Sequence, residues 1–239
     1  MSSPRLISMW SGPRNVSTAM MYSWRERSDT EVVDEPWYAY YLLDTGVDHP
    51  GAAEAIASQP TEIDAVIAVL TEPGDRPIRF LKNMAHHVYG PGLSVLDLSD
   101  NYLLVRDPRD MLPSLRSGLG YLPTIDQTGL EQQVAIYDHL TGRGSAPPVI
   151  ETRSLLENPR RVLTALCRAL DLDFDEACLS WPTGPKPEDG IWAPHWYAGV
   201  HASTGFGRYS AKSTPLDPDL ADLYERCRSL YERLVEDAL

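Results

Sequence analysis

The sequence predicts an α/β fold in which a mostly parallel central sheet lies between helices on both faces. Three observations carry this expectation. Short runs at Leu6–Met9, Glu31–Val33, Ile78–Leu81, Tyr102–Val105 and Val149–Glu151 read as strands, with helical patterns between them. Asp107-Pro108 and Asn158-Pro159 each pair a capping residue with proline at a first helical position. Between Ser180 and Pro215 the periodicity fails in a stretch rich in Pro, Gly and aromatic residues. A long irregular segment inside a domain is more often a functional lid or binding loop than filler.

In chain order, the first apolar run breaks at Ser11-Gly12-Pro13, and a helical pattern resumes at Val16, Ala19, Met20 and Ser23. After the second strand, Asp34 and Glu35 stand where they would cap a helix opening at Pro36. A helix is expected over Thr61–Leu70, bounded by Gln59-Pro60 and by the turn-forming stretch before Pro77. From Pro159, the positions Val162, Leu163, Leu166 and Leu170 form one buried stripe. A closing helix, about 217–237, opens at Asp217-Pro218 and turns Leu220, Leu223, Cys227, Leu230, Tyr231 and Leu234 inward. The 239 residues suit a single domain, 1–239, with the irregular lid or acceptor loop at about 180–215.

Composition excludes several classes. The 21 Lys and Arg against 34 Asp and Glu give a net charge of −13, so neither nucleic acid nor an anionic membrane surface is an expected partner. Any anionic ligand must be held by local donors working against that field. Cys167, Cys178 and Cys227 lack metal-ligand spacing and read as buried thiols in a reducing compartment. No basic-then-apolar leader precedes Leu6, and no apolar run approaches the ~18–20 residues of a membrane span. A cytoplasmic location is expected.

Two segments carry chemistry. Arg5–Thr18 (RLISMWSGPRNVST) has the layout of strand, tight turn and helix start, which presents unpaired backbone N–H groups and a positive helix dipole to an anion. Asn15, Ser17 and Thr18 add side-chain donors, and Arg14 adds a cationic fork suited to phosphate or sulfate oxygens. The Gly-Lys-Ser/Thr ending of an ATP-binding loop is missing, which counts against a nucleotide-dependent kinase. Asn101–Ser117 (NYLLVRDPRDMLPSLRS) delivers Arg106 at a strand end and Ser114 about two turns into the next helix. Ligands in open α/β sheets bind beyond the carboxyl ends of the strands, so both segments share one rim.

These segments resemble the sulfotransferase family, which uses 3′-phosphoadenosine 5′-phosphosulfate (PAPS) as donor. Pro13–Thr18 (PRNVST) resembles the family's 5′-phosphosulfate loop, and Arg106 with Ser114 eight residues on resembles its 3′-phosphate site. Pro148–Leu170 and Leu216–Leu234 resemble its Glu-x-Leu turn with the following helix and its closing helix. The resemblance implies a P-loop-like three-layer sandwich, with PAPS held by Arg14, Asn15, Val16, Ser17, Thr18, Arg106 and Ser114 and no metal. The alternative from another class is a binding module that keeps the pocket without turnover.

The chain departs from the family in places. Val16 stands where a glycine is usual, Arg14 replaces the catalytic lysine of many members, and the late Arg-Lys-Gly element has no match. Arg208 and Lys212 lie in about the region of that element, and its role is not transferred to them. In-line sulfuryl transfer needs cations around the sulfate, and the resemblance offers Arg14 and Lys82. The acceptor hydroxyl needs a base. Glu35 resembles the glutamate after the second strand that serves in some branches, while His86, beside His87, competes; Met84 occupies the usual histidine position. Asp48-His49 before Pro-Gly reads as a turn, and the acidic run 171–176 as solvated. Trp37, Tyr38 and Trp196, with Tyr40, Tyr41, Trp192, His195 and Tyr197 nearby, are expected to line an acceptor pocket. The expected acceptor is a small alcohol or phenol, a cationic alcohol included.

Overall fold

Alternation along the strands sets the layers. In β1 (Arg5–Ser11), Leu6 and Trp10 enter one buried cluster while Ile7 and Met9 enter another. In β4 (Asp100–Val105), Leu103 and Val105 face the first cluster and Tyr102 and Leu104 the second. This is the two-residue period of a strand buried on both faces. With β2 (Thr30–Asp34), β3 (Ile78–Met84) and β5 (Val149–Glu151), these strands form a parallel sheet in the order β2-β3-β1-β4-β5. The computed structural model describes residues 3–211 and 215–239.

The first cluster packs against α4 (Ile63–Thr71), α5 (Pro108–Leu119), α6 (Leu130–Gly142) and α11 (Ala221–Val235). The second packs against α1 (Ser17–Arg25), α7 (Thr152–Glu157) and α8 (Pro159–Ala169). Helices therefore cover both faces, as the sequence predicts. Two expected caps are formed: Asp107 accepts from the Arg109 amide at 2.8 Å, and Asn158 from that of Arg161 at 3.1 Å. The closing helix starts with a 3-10 turn at Pro218–Leu220, where Asp217 accepts from the Asp219 amide at 3.0 Å.

A third, smaller apolar cluster lies to one side. It joins α2 (Tyr38–Thr45) and α3 (Ala52–Ser58) to the irregular segment through Tyr38, Leu42, Ala55, Trp192, Ala193 and Tyr197. That segment contains two single-turn helices, α9 (Ala193–Trp196) and α10 (Ala198–His201), and closes at its base where Ser180 bridges Gly205.

Two sequence expectations are corrected, and one helix is new. No helix opens at Pro36: Glu35 takes a left-handed backbone with φ of 45°, and α2 begins at Tyr38. The helix Ala52–Ser58 has no counterpart in the sequence reading. Strand β3 runs on to Met84, so Lys82 lies inside the strand rather than at its end. Among the described residues no helix is long and apolar enough to cross a membrane.

Candidate active site

At the carboxyl rim of β1 the chain must turn sharply beneath another element. Gly12 makes this possible, because a Cβ there would stand 2.7 Å from the Thr128 carbonyl oxygen. Arg14 then takes a positive φ of 53° and helix α1 begins at Ser17. The N–H groups of its first turn have no intrahelical acceptor. They open onto a cavity of about 740 Å³, lined among others by Arg14, Asn15, Val16, Ser17, Thr18, Arg106 and Ser114. The two segments singled out in the sequence therefore meet at one place.

Their side chains also bond to one another. Arg106 Nη1 donates to the Arg14 carbonyl at 2.6 Å, and Arg14 Nε donates to Ser114 Oγ at 3.1 Å. Burial, with Arg14 adding to it and Asp110 opposing, pulls the Arg106 pKa below its usual value. It remains a guanidinium at neutral pH. The left-handed position falls on Arg14, whereas Val16 has a φ of −90°, so no glycine is needed there. Asn15, expected as an anion donor, also lines the cavity and has a second role within the loop. Its Nδ2 donates to the Leu104 carbonyl at 2.9 Å, and its Oδ1 accepts from the Val16 amide at 2.9 Å and from Thr152 Oγ1. It pins the loop to the end of β4 and to α7.

The other end of the cavity is built on a buried charge cluster. Register pairs Asp34 of β2 with Lys82 of β3, and the side chains meet with Lys82 Nζ 2.9 Å from Asp34 Oδ1. Lys82 Nζ also donates to Glu35 Oε1 and, at 2.7 Å, to the Tyr197 hydroxyl. An ammonium has three N–H donors, and all three are engaged. The sequence reading offers Lys82 as a cation at the sulfate; the structure keeps it on the cavity lining but engages its three donors with Asp34, Glu35 and Tyr197. It is a buried counter-ion inside β3, only 1% exposed. Burial pulls its pKa down, but Asp34 and Glu35 outweigh that and hold it well above the usual lysine value. Glu35 moves the other way: burial raises its carboxyl pKa and Asp34 adds to that, against the pull of Lys82. A buried carboxyl shifted upward on a cavity wall is suited to accept a proton.

His86 and His87 follow β3, and both line the cavity. Burial pushes His86 down to about 4, with His49 adding to it, and holds His87 well below the usual histidine range. Both rings are neutral at pH 7, and the Nδ1 atoms of both are buried with no hydrogen-bond partner. Tyr41 stacks on His87 at 4.7 Å between centroids, and Tyr38 stacks on it at 5.0 Å.

The acceptor-pocket residues named from sequence divide. Tyr38 and Trp196 line the cavity; Trp37 does not, and packs in the core beneath α2. Trp196 approaches the donor loop, since a Cβ on Gly118 would lie 3.8 Å from its ring and 3.9 Å from Arg14. Sequence reasoning missed Asp34 as the organiser of the cluster, and His49, whose Nδ1 lies 2.9 Å from the Tyr38 hydroxyl on the cavity wall. The Asp-His-Pro-Gly pattern signals only a turn. Arg208 is exposed and outside the lining, and Lys212 lies outside the described residues.

Comparison with known proteins agrees with this architecture. The profile of the family described as "Sulfotransferase domain" matches residues 5–235, and the chain belongs to that family. Two Arabidopsis thaliana proteins are similar in sequence: branched-chain-amino-acid aminotransferase-like protein 1 is 37% identical over 98% of this chain, and protein 2 is 36% identical over 96%. The chain spans 42% and 41% of their lengths, less than half of either. Among solved structures, a sulfotransferase from Alicyclobacillus acidocaldarius superposes with a TM-score of 0.58 at 13% identity, covering 100% of this chain and 98% of that one. The sulfotransferase domain of the Synechococcus PCC 7002 olefin synthase gives 0.57 at 18% identity with 95% of both chains covered. That of the curacin biosynthetic pathway gives 0.53 at 16% with 100% of both covered. At such identities the likeness establishes the shared fold.

Proposed function

We propose that this member of the sulfotransferase family moves a sulfuryl group from PAPS to the hydroxyl of a small alcohol or phenol, with Glu35 as the general base. The observation that carries the reading is one cavity with two unlike ends: guanidinium groups and helix N–H donors at Arg14, Arg106 and α1, and a buried carboxylate at Glu35. When bound, PAPS supplies an activated sulfuryl group and a stable leaving group. Arg106 and Ser114 hold its 3′-phosphate, and the Arg14–Thr18 loop its 5′-phosphosulfate. The residues fit a ligand with two anionic groups, because Arg106 and the first turn of α1 keep donors that the fold itself does not use.

Glu35 takes the hydroxyl proton as the acceptor oxygen bonds to sulfur and the bond from sulfur to the 5′-phosphate oxygen breaks. The products are a sulfate monoester, adenosine 3′,5′-bisphosphate and a proton. Arg14 and the helix N-terminus neutralise charge developing on the bridging and equatorial oxygens. The ring wall of Tyr38, Tyr41 and Trp196 excludes water from the site.

The test is an acceptor screen with labelled PAPS, read by mass spectrometry as an added sulfate group. Turnover separates an enzyme from a module that only binds nucleotide. On an acceptor so identified, Glu35→Gln is expected to lower turnover ~10²–10⁴-fold with donor affinity nearly unchanged. If His86→Asn produces that loss and Glu35→Gln does not, the histidine is the base. The wild-type rate should rise with pH as Glu35 ionises, with its midpoint above the ordinary carboxylate range.

A further inference from the structure

The charge at the acceptor end of the cavity selects its ligand. The ionisable groups on this wall are Glu35, Lys82, Asp48, His49, His86 and His87, with Asp34 directly behind. Lys82 is the only cation among them, and its three donors are engaged by Asp34, Glu35 and Tyr197. The buried trio of two carboxylates and one ammonium carries one surplus negative charge, and Asp48 at the mouth adds another. His86 and His87 contribute no positive charge. The rings of Tyr38, Tyr41, Trp192 and Trp196 complete the wall.

An anionic acceptor would meet Glu35 here with no cation left to receive it. A neutral acceptor would leave the surplus charge unanswered in a water-poor site. A protonated amine answers it, because it is drawn to the carboxylates and to ring faces. We infer that the acceptor is a hydroxyl compound carrying a protonated amine, an amino alcohol or an aminoalkyl phenol. This deepens the sulfotransferase reading and rests on it. The cavity is thereby divided by charge, with the anionic donor at the arginine end and the cationic acceptor at the carboxylate end. Bringing the ammonium beside Glu35 also favours the ionised carboxylate that the reaction needs.

The test uses the whole chain saturated with adenosine 3′,5′-bisphosphate and three phenols of similar size and different charge: tyramine, 4-propylphenol and 3-(4-hydroxyphenyl)propionate. 3-Aminopropan-1-ol against butan-1-ol serves as an aliphatic pair. Calorimetric binding is expected to favour the amine at least about tenfold over its neutral counterpart, with the carboxylate weakest. Glu35→Gln should erase most of that preference. Asp48→Asn, at an exposed position that leaves the fold intact, should reduce it about two- to threefold. No advantage for the amine in either series, through equal binding or none, overturns the proposal, as does an undiminished preference in both variants. Sulfate transfer to 4-propylphenol or the carboxylate in preference to tyramine would do so too, while leaving the sulfotransferase reading intact.

Discussion

The Tyr197 hydroxyl lies 2.7 Å from Asp34 Oδ2, so the irregular segment is hydrogen-bonded directly to the end of β2. The hydroxyl donates to Asp34 and accepts from Lys82 at 2.7 Å and from Trp192 Nε1 at 3.1 Å. The Gly190 amide adds a second tie to Asp34 at 3.0 Å. The segment that covers the cavity and the carboxylate proposed as base are thus parts of one buried network. Burial and Asp34 raise the Tyr197 pKa well above the usual value, so it acts as a neutral clasp at any working pH.

Tyr197→Phe removes the clasp and keeps the ring. A buried hydrogen bond to a charged group is worth about 1.5–3 kcal/mol, and the variant is expected to lose stability in that range in urea. Turnover should fall by about tenfold while binding of adenosine 3′,5′-bisphosphate holds, because the donor end lies on other elements. Unchanged turnover with an intact donor site would show that the network does not position Glu35.

Lys82 and Arg14 separate a structural cation from a ligand-binding one. Lys82→Met leaves Asp34 and Glu35 buried without their counter-ion and should cost roughly 3–5 kcal/mol of stability. Arg14→Ala, on an exposed loop, should change the urea midpoint little and weaken donor binding. If Lys82→Met folds with wild-type stability and loses donor affinity instead, the lysine faces the sulfate as the sequence reading expects.

At the donor end, Arg106→Ala is expected to weaken adenosine 3′,5′-bisphosphate by at least about tenfold, from roughly 1.5–3 kcal/mol for a charge-assisted contact. Arg106 also holds the Arg14 carbonyl, so adenosine 5′-phosphosulfate, which lacks the 3′-phosphate, should lose a smaller part of its affinity through the displaced loop. Ser114→Ala leaves that carbonyl contact in place but releases Arg14 Nε, so it should weaken the bisphosphate more than adenosine 5′-phosphosulfate. Equal losses for both ligands in both variants would remove the pair from the 3′-phosphate.

Much of the fold was legible because its signals are local. The alternation that divides Leu6 and Trp10 from Ile7 and Met9 is visible in the sequence, and so are the caps at Asp107 and Asn158. The donor loop and the Arg106–Ser114 spacing could be read for the same reason. The Lys82 cluster could not, because it depends on the pairing of Asp34 with Lys82 across two strands and on Tyr197, 115 residues further along. No short-range pattern encodes such a contact. Trp37 and Tyr38 look alike as neighbouring aromatics, and only the left-handed turn at Glu35 decides that one enters the core and the other the cavity. His49 was hidden by its turn-like flanks, since its role arises from the packing of α3 against α2.

Acid should weaken the molecule through the histidine wall. Burial holds His86 near 4, below its ordinary 6.5, and His87 well below the same value. The unfolded chain takes up these protons near 6.5 and the folded chain resists them, so the unfolded state binds more protons as pH falls. The stability they contribute is fully present above that unfolded value and is lost as pH drops towards the folded one. For His86 alone the loss is on the order of 3 kcal/mol across the window. His86→Asn has nothing to protonate there. In urea unfolding at pH 7 and pH 4.5, the wild type should lose at least about 1 kcal/mol more than the variant over that interval. A constant difference between the two proteins at both pH values would mean that His86 is not held neutral, and would return it to competition with Glu35 as a titrating group in the site.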